Sequence, residues 1–239
     1  MAVYTDLRNK SIQSHQKTEK NYNFISEKVL QLISYFNSFD YPLKFEEIGS
    51  ILNFNKNRIE IALNDLSYQQ IITHKYNYYF IPGKEWTIGE RYNSMVFFRQ
   101  NIRKIVRSGW ILSHFPFVRG LILTGSASKE ILEKNDDFDF LVIAEPNHIW
   151  LCRFIIEKFR KLISKNFKFK NYRFFDCNYI ISQKNLTIED QNEFTAIEIF
   201  FAKPIFNYSN YKIFIEQNKW IQKYFRLPKR DKSIPLVKH

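Results

Sequence analysis

The run Phe138-Asp139-Phe140-Leu141-Val142-Ile143, entered through Asp136-Asp137, constrains this chain more than any other segment. Its apolar content reads as a buried strand, yet Asp139 stands between two phenylalanines and Asp137 two residues earlier. A buried unpaired carboxylate either costs several kcal/mol or takes up a proton, so a fold that keeps this strand needs a cation beside it. Side chains at i and i+2 of a strand share a face, which sets the Asp137 and Asp139 oxygens side by side and suits them to Mg²⁺. Asp136-Asp137 alone is also readable as a solvated strand entry; Asp139 is not.

Upstream, Val118 to Thr124 reads as a second strand that runs into Gly125-Ser126, and Ala127 to Lys134 as a short helix with Lys129 in its first turn. Glycine permits close backbone approach, and the N–H groups of a helix start favour phosphate oxygens. Strand, Gly-Ser, helix, loop and Asp-x-Asp strand, in that order, put a triphosphate site beside a metal site. That is the equipment of nucleotidyl or phosphoryl transfer. The competing reading makes Gly125-Ser126 an ordinary turn.

The stretch Leu121 to Val142, LILTGSASKEILEKNDDFDFLV, resembles the nucleotidyltransferase signature of the DNA polymerase β superfamily in its Gly-Ser, its spacer and its acidic-x-acidic strand. The resemblance implies Mg²⁺-dependent transfer of a nucleoside monophosphate from a nucleoside triphosphate to an acceptor hydroxyl. Asp137 and Asp139 would hold two Mg²⁺ ions, Gly125 and Ser126 would bind the β/γ-phosphates, and Lys129 would offset charge on the leaving pyrophosphate. Such enzymes commonly complete the metal site with a third carboxylate from a later strand. Here Asp176, in the strand-like Tyr172 to Ser182, is the acidic residue placed to supply it, as ligand or base. A strand-edge charge or a partner for Arg173 are its other readings.

The remaining pattern divides the chain into a polar leader (1–23), a winged-helix-like domain (24–84), a connecting helix (85–115), a nucleotidyltransferase core (116–185) and a helical C-terminal region (186–239). The fold class expected is α/β of the α+β kind, with a mixed sheet and flanking helices. Ile25, Val29, Leu32, Ile33 and Phe36 fall at helical spacing, Phe45 to Leu52 and Arg58 to Ile71 give two further helices, and Ile71 to Ile81 alternates as a hairpin turning at Tyr76-Asn77-Tyr78. Three helices and a hairpin point to a winged helix-turn-helix, whose third helix offers Lys56, Asn57, Arg58 and Asn64 to DNA, against Glu60 and Asp65. A spacer or protein-contact module has the same pattern. Joined to the second domain, this resembles a group of bacterial proteins that couple a winged-helix-like segment to a nucleotidyltransferase domain, a wider likeness that implies no particular substrate. Arg91, Arg99 and Arg103 of the connecting helix are read as solvated, or one of them as reaching the phosphates. After Pro146-Asn147, His148 to Lys165 is expected to be a helix with Trp150, Phe154, Ile155, Phe159 and Leu162 as its core stripe, and Glu198 to hydrogen-bond inside the core or to reach the site, the structural role being preferred.

At 239 residues and 45% hydrophobic content the chain can fill one large core or two small ones. The net charge of +12 invites a nucleic-acid partner. Because the charge is spread along a chain rich in Lys, Asn, Ile, Phe and Tyr, its densest clusters, Lys158 to Lys170 and Lys229 to Lys232, are read as solvated surface. No signal peptide or membrane span is visible, and the two cysteines, Cys152 and Cys177, suit buried thiols, so a cytoplasmic protein with no membrane partner is expected. The alternative function is a winged-helix DNA-binding regulator whose second domain senses a nucleotide or is a degenerate transferase.

Overall fold

Ile25, Val29, Leu32, Ile33 and Phe36 are all buried on one helix, α1, over residues 23–37. The computed structural model to which it belongs describes residues 23–134, 136–165, 175–228 and 234–237. The leader up to residue 22, Arg173 and the basic cluster Lys229 to Lys232 lie outside them. The chain is mixed α/β and forms two compact units, Met1–Arg91 and Tyr92–His239.

In the first unit, β1 (Leu43–Lys44) leads straight into α2 (Phe45–Ile51), whose start is closed by Lys44 N–H donating to Glu47 Oε2 at 2.8 Å. Asn55 caps α3 (Lys56–Tyr68) by accepting the Asn57 N–H at 2.9 Å, and Ile59, Ala62, Leu63 and Leu66 form its buried face. β2 (Thr73–Lys75) and β3 (Tyr78–Phe80) join through Tyr76 and Asn77, both in the left-handed region at φ 51° and 66°, as a two-residue hairpin with twist matched to its strands demands. The antiparallel order is β1-β3-β2.

Arg91 ties this unit together. Its guanidinium donates to Pro42 O and to both Glu47 oxygens, Nη1 to Oε2 at 2.9 Å, while its plane lies 4.2 Å from the Tyr41 ring and 4.9 Å from that of Tyr78. The expectation of a solvated or phosphate-seeking Arg91 is therefore corrected, because a planar fork between two rings satisfies a carboxylate and a carbonyl at once.

The second unit takes up α4 (Thr87–Ser113) from Tyr92 onward and continues with β4 (Val118–Leu123), the single turn α5 (Gly125–Ser128), β5 (Asp139–Ala144), α6 (Ile149–Lys165), β6 (Asp176–Ser182), α7 (Glu193–Phe201), β7 (Lys203–Phe206) and α8 (Tyr208–Gln217). Its sheet has the order β6-β5-β4-β7; β5 and β6 are parallel across the α6 crossover, and β4 is antiparallel to both β5 and β7. Phe138, Phe140 and Val142 pack with Phe98, Ile105 and Leu112 of α4 and Cys152 and Ile156 of α6, so alternation sends Asp139 to the opposite face.

Two expectations change here. The C-terminal region is not wholly helical: Lys203–Phe206 is a strand that completes the sheet, its Lys203, Pro204 and Phe206 paired with β4 and its Ile205 buried. The core stripe of α6 is also rotated. Cys152 and Ile156 face the core and Phe159 packs against it as expected, whereas Trp150, Phe154 and Leu162 are 81%, 55% and 72% exposed. Several apolar residues surround this helix, so periodicity alone could not choose the inward face. No helix among the described residues is long and apolar enough to cross a membrane.

Replacing Arg91 with Ala strands Glu47 and the Pro42 carbonyl. Because Glu47 is only partly buried, the expected loss is about 2 kcal/mol rather than the full cost of an orphaned buried ion. Urea titration of the full chain measures it, and Arg91→Lys, which keeps the charge without the planar fork, is expected to recover only part.

Candidate active site

Asp139 begins the central strand β5 and touches three neighbouring segments. Its carbonyl accepts the Thr124 N–H at 2.9 Å from the end of β4, and in the parallel register it lies opposite Asp176, the first residue of β6. Asp176 N–H donates to Phe138 O at 2.9 Å, which fixes that register. Gly125 follows β4 with φ +66°, and a Cβ built on it would lie 2.2 Å from Asp139 Oδ2. The glycine is required twice, once for its left-handed backbone and once because the Asp139 carboxylate occupies the place of a side chain.

Several acidic groups act on Asp139. Burial first, then the charges of Asp176, Asp137, Asp136 and Glu198, push its carboxyl up to about 6. Asp137 and Asp139 are thus electrostatic neighbours, and Asp176 joins them from the adjacent strand. Asp136 is turned aside: its Oδ2 accepts from the Glu133 N–H at 3.0 Å and from Ser126 Oγ at 3.3 Å, closing the loop that leads to β5. Asp176 is held by Arg160 of α6, Nη1 to Oδ1 at 2.7 Å, and by the Cys177 N–H at 2.8 Å on the same oxygen. The ion-pair partner found is therefore Arg160; Arg173 is outside the described residues.

The expected helix from Ala127 to Lys134 is corrected. It ends after one turn, at Ser128, in a Schellman closure: Ile131 N–H reaches Ser126 O at 3.0 Å, Glu130 N–H reaches Ala127 O at 3.2 Å, and Glu130 takes the left-handed conformation at φ 63°. The closure turns Ile131 and Leu132 into the core, where both are buried. One turn adds little macrodipole, so any phosphate binding rests on the turn itself.

Lys129 accordingly sits at the C-cap and not in a first turn. Its ammonium, 2% exposed at the side chain, donates to Glu198 Oε1 and Oε2 at 2.7 and 2.8 Å and to Gly125 O at 3.2 Å. Burial lowers its proton affinity, opposed by Glu198. A parallel clamp, Lys203 Nζ to Glu130 Oε1 at 3.0 Å, steadies the residue that pays the left-handed strain. Sequence reasoning left Glu198 to structure and passed over Arg160. Neither carries a local signal, since Glu198 meets Lys129 across 69 residues.

The donors are of the kind magnesium takes: the charges of Asp176 and Asp137 both act on the Asp139 carboxylate, and Mg²⁺ is commonly held by one or two carboxylates together with substrate phosphates. Among the described residues no three His, Cys, Asp or Glu side chains form a ready-made metal cage. No family model matches the chain, and no curated protein or solved structure is significantly similar to it.

Two outcomes follow from these charges. Because folded Asp139 keeps its proton up to about 6 while the unfolded chain releases it near 3.8, its contribution to stability is full below about pH 4 and is lost as pH rises through 6. Thermal melts in chelator across this window are expected to show that decline, with Asp139→Asn flattening it and melting higher at neutral pH. Glu198→Ala leaves the buried Lys129 ammonium without its carboxylate, at an expected cost of about 3 kcal/mol by urea titration. Lys129→Met combined with Glu198→Leu is expected to regain most of it.

Proposed function

We propose that the second unit is a Mg²⁺-dependent nucleotidyltransferase that moves a nucleoside monophosphate from a nucleoside triphosphate to an acceptor hydroxyl. The observation that carries this reading is the Asp139 carboxylate lodged against Gly125, in register with Asp176 and electrostatically coupled to Asp137. A structural role alone gives no reason to gather three carboxylates there, since each raises the cost of ionising Asp139.

Asp137 and Asp139 are the residues to hold metal, with Asp176 as a third ligand or as the base that takes the acceptor proton. When bound, Mg²⁺ supplies charge neutralisation of the triphosphate and lowers the barrier to attack at the α-phosphorus. Arg160 keeps the Asp176 carboxylate beside Asp139. Gly125 and Ser126 present the turn to the phosphates, and Lys129 fixes that turn from behind through the Gly125 carbonyl. Lys129 is in this reading a positioning residue, its charge shared with Glu198, instead of a direct contact to pyrophosphate.

The order of elements in the first unit, a helix, a short strand, two helices joined by a tight turn and a two-stranded hairpin, supports a winged-helix module. Lys56, Asn57, Arg58 and Asn64 are exposed on α3, as DNA contact requires, and Glu60 shares that exposure. The regulator reading rests on this unit, and it predicts salt-dependent DNA binding without pyrophosphate release.

Incubation with each labelled nucleoside triphosphate, Mg²⁺ and a cell extract, followed by assay of pyrophosphate and of labelled product, tests the transferase. Asp139→Asn is expected to lower transfer by at least about 10³-fold, the scale of losing a principal charge-stabilising group, while the fold stays intact. Full activity in that variant refutes the assignment.

A further inference from the structure

Helix α4 carries Arg99, Arg103 and Arg107 at four-residue intervals, with Trp110 and His114 continuing the same face. The three arginines are exposed and the Trp110 ring is 50% exposed. Among the described residues none of these guanidinium groups has a hydrogen bond or ion pair. Like charges at this spacing weaken a helix, so three in a row without an interleaved acid oppose local stability.

The stripe borders an open groove of about 500 Å³ lined by Arg103, Val106, Arg107, Trp110, Leu236 and Val237. Its apolar side is tied to β7: Val237 N–H donates to Ile205 O at 2.8 Å, and Gly109 lies so close to β7 that a Cβ there would fall 2.3 Å from Ile205 Cγ2. The His114 ring stands 4.4 Å from that of Trp110, and its Nδ1 lies 2.7 Å from Trp110 O, extending the aromatic surface.

We propose that this face of α4 binds single-stranded nucleic acid. The helix rise separates successive guanidinium groups by about 6 Å along the axis, a ladder for consecutive phosphates of an extended strand. An exposed indole beside an apolar floor offers a stacking platform to any base, and this combination of basic track and aromatic platform is how sequence-tolerant single-strand binding works. An acidic peptide would use the arginines and gain little from the indole. The proposal is independent of the transferase reading.

The test is fluorescence anisotropy of the full chain with labelled oligothymidylate and oligouridylate of about twelve nucleotides, over a range of salt. Three phosphate contacts predict a slope of log affinity on log salt of about −2, and each Arg→Ala at 99, 103 or 107 is expected to remove about 0.7 of it. Trp110→Ala is expected to weaken binding roughly tenfold or more without changing the slope. Replacing all three arginines together is expected to remove nearly the whole slope, whereas a variant of equal charge loss, with Lys158, Lys212 and Lys223 all replaced by Ala, is expected to bind like the parent. All these positions are exposed, and circular dichroism and melting temperature confirm that the variants fold. The proposal is overturned if no oligonucleotide binds, if the lysine variant loses as much as the arginine variants, or if polyglutamate competes equally and Trp110→Ala has no effect.

Discussion

The close contact that sets the Asp139 carboxylate where a side chain on Gly125 would stand is the constraint on which the candidate site of the second unit depends. It demands glycine just after β4, and it holds a carboxylate where burial opposes its charge. The neighbouring Asp137 and Asp176 raise that opposition. One neutral residue in place of any of the three would relieve it, and the proposed transferase reading is what gives their charge a use.

Around this contact, two lysine–glutamate clamps set the turn. Lys129 with Glu198 draws α7 against the Gly125 carbonyl, and Lys203 with Glu130 anchors the left-handed residue that ends α5. Both lysines are nearly buried, so each clamp repays its desolvation only with its partner in place. The site is thus built from β4, β5 and β6 and braced by α7 and β7, elements that are remote in sequence. The first unit has its own anchor in Arg91, which serves two rings, a carboxylate and a carbonyl with one planar group.

Much of this was legible from local pattern. The helices of the first unit and the hairpin turn at Tyr76-Asn77 follow from apolar spacing and from the need for left-handed residues in a two-residue loop. Asp139 stood out because a carboxylate between two phenylalanines of a strand has no ordinary solvated role. The errors share another cause. The helix after Gly125 stopped early because burying Ile131 and Leu132 outweighed the propensity of the residues that follow. The inward face of α6 was misjudged because Trp150, Phe154 and Leu162 are as apolar as the residues that are buried, and β7 was missed because a short strand flanked by helices has too little period to reveal itself.

The sequence by itself determined the two apolar strands, the acidic pair that enters the second and the small-residue turn between them, because periodicity and the cost of burying charge act within a few residues. Only the tertiary structure decided which groups meet there: Asp176 beside Asp139, Arg160 on Asp176, and Glu198 on a lysine read as facing phosphate. Register and ion pairing join segments tens of residues apart, and the energy of such a contact depends on burial that no local window contains.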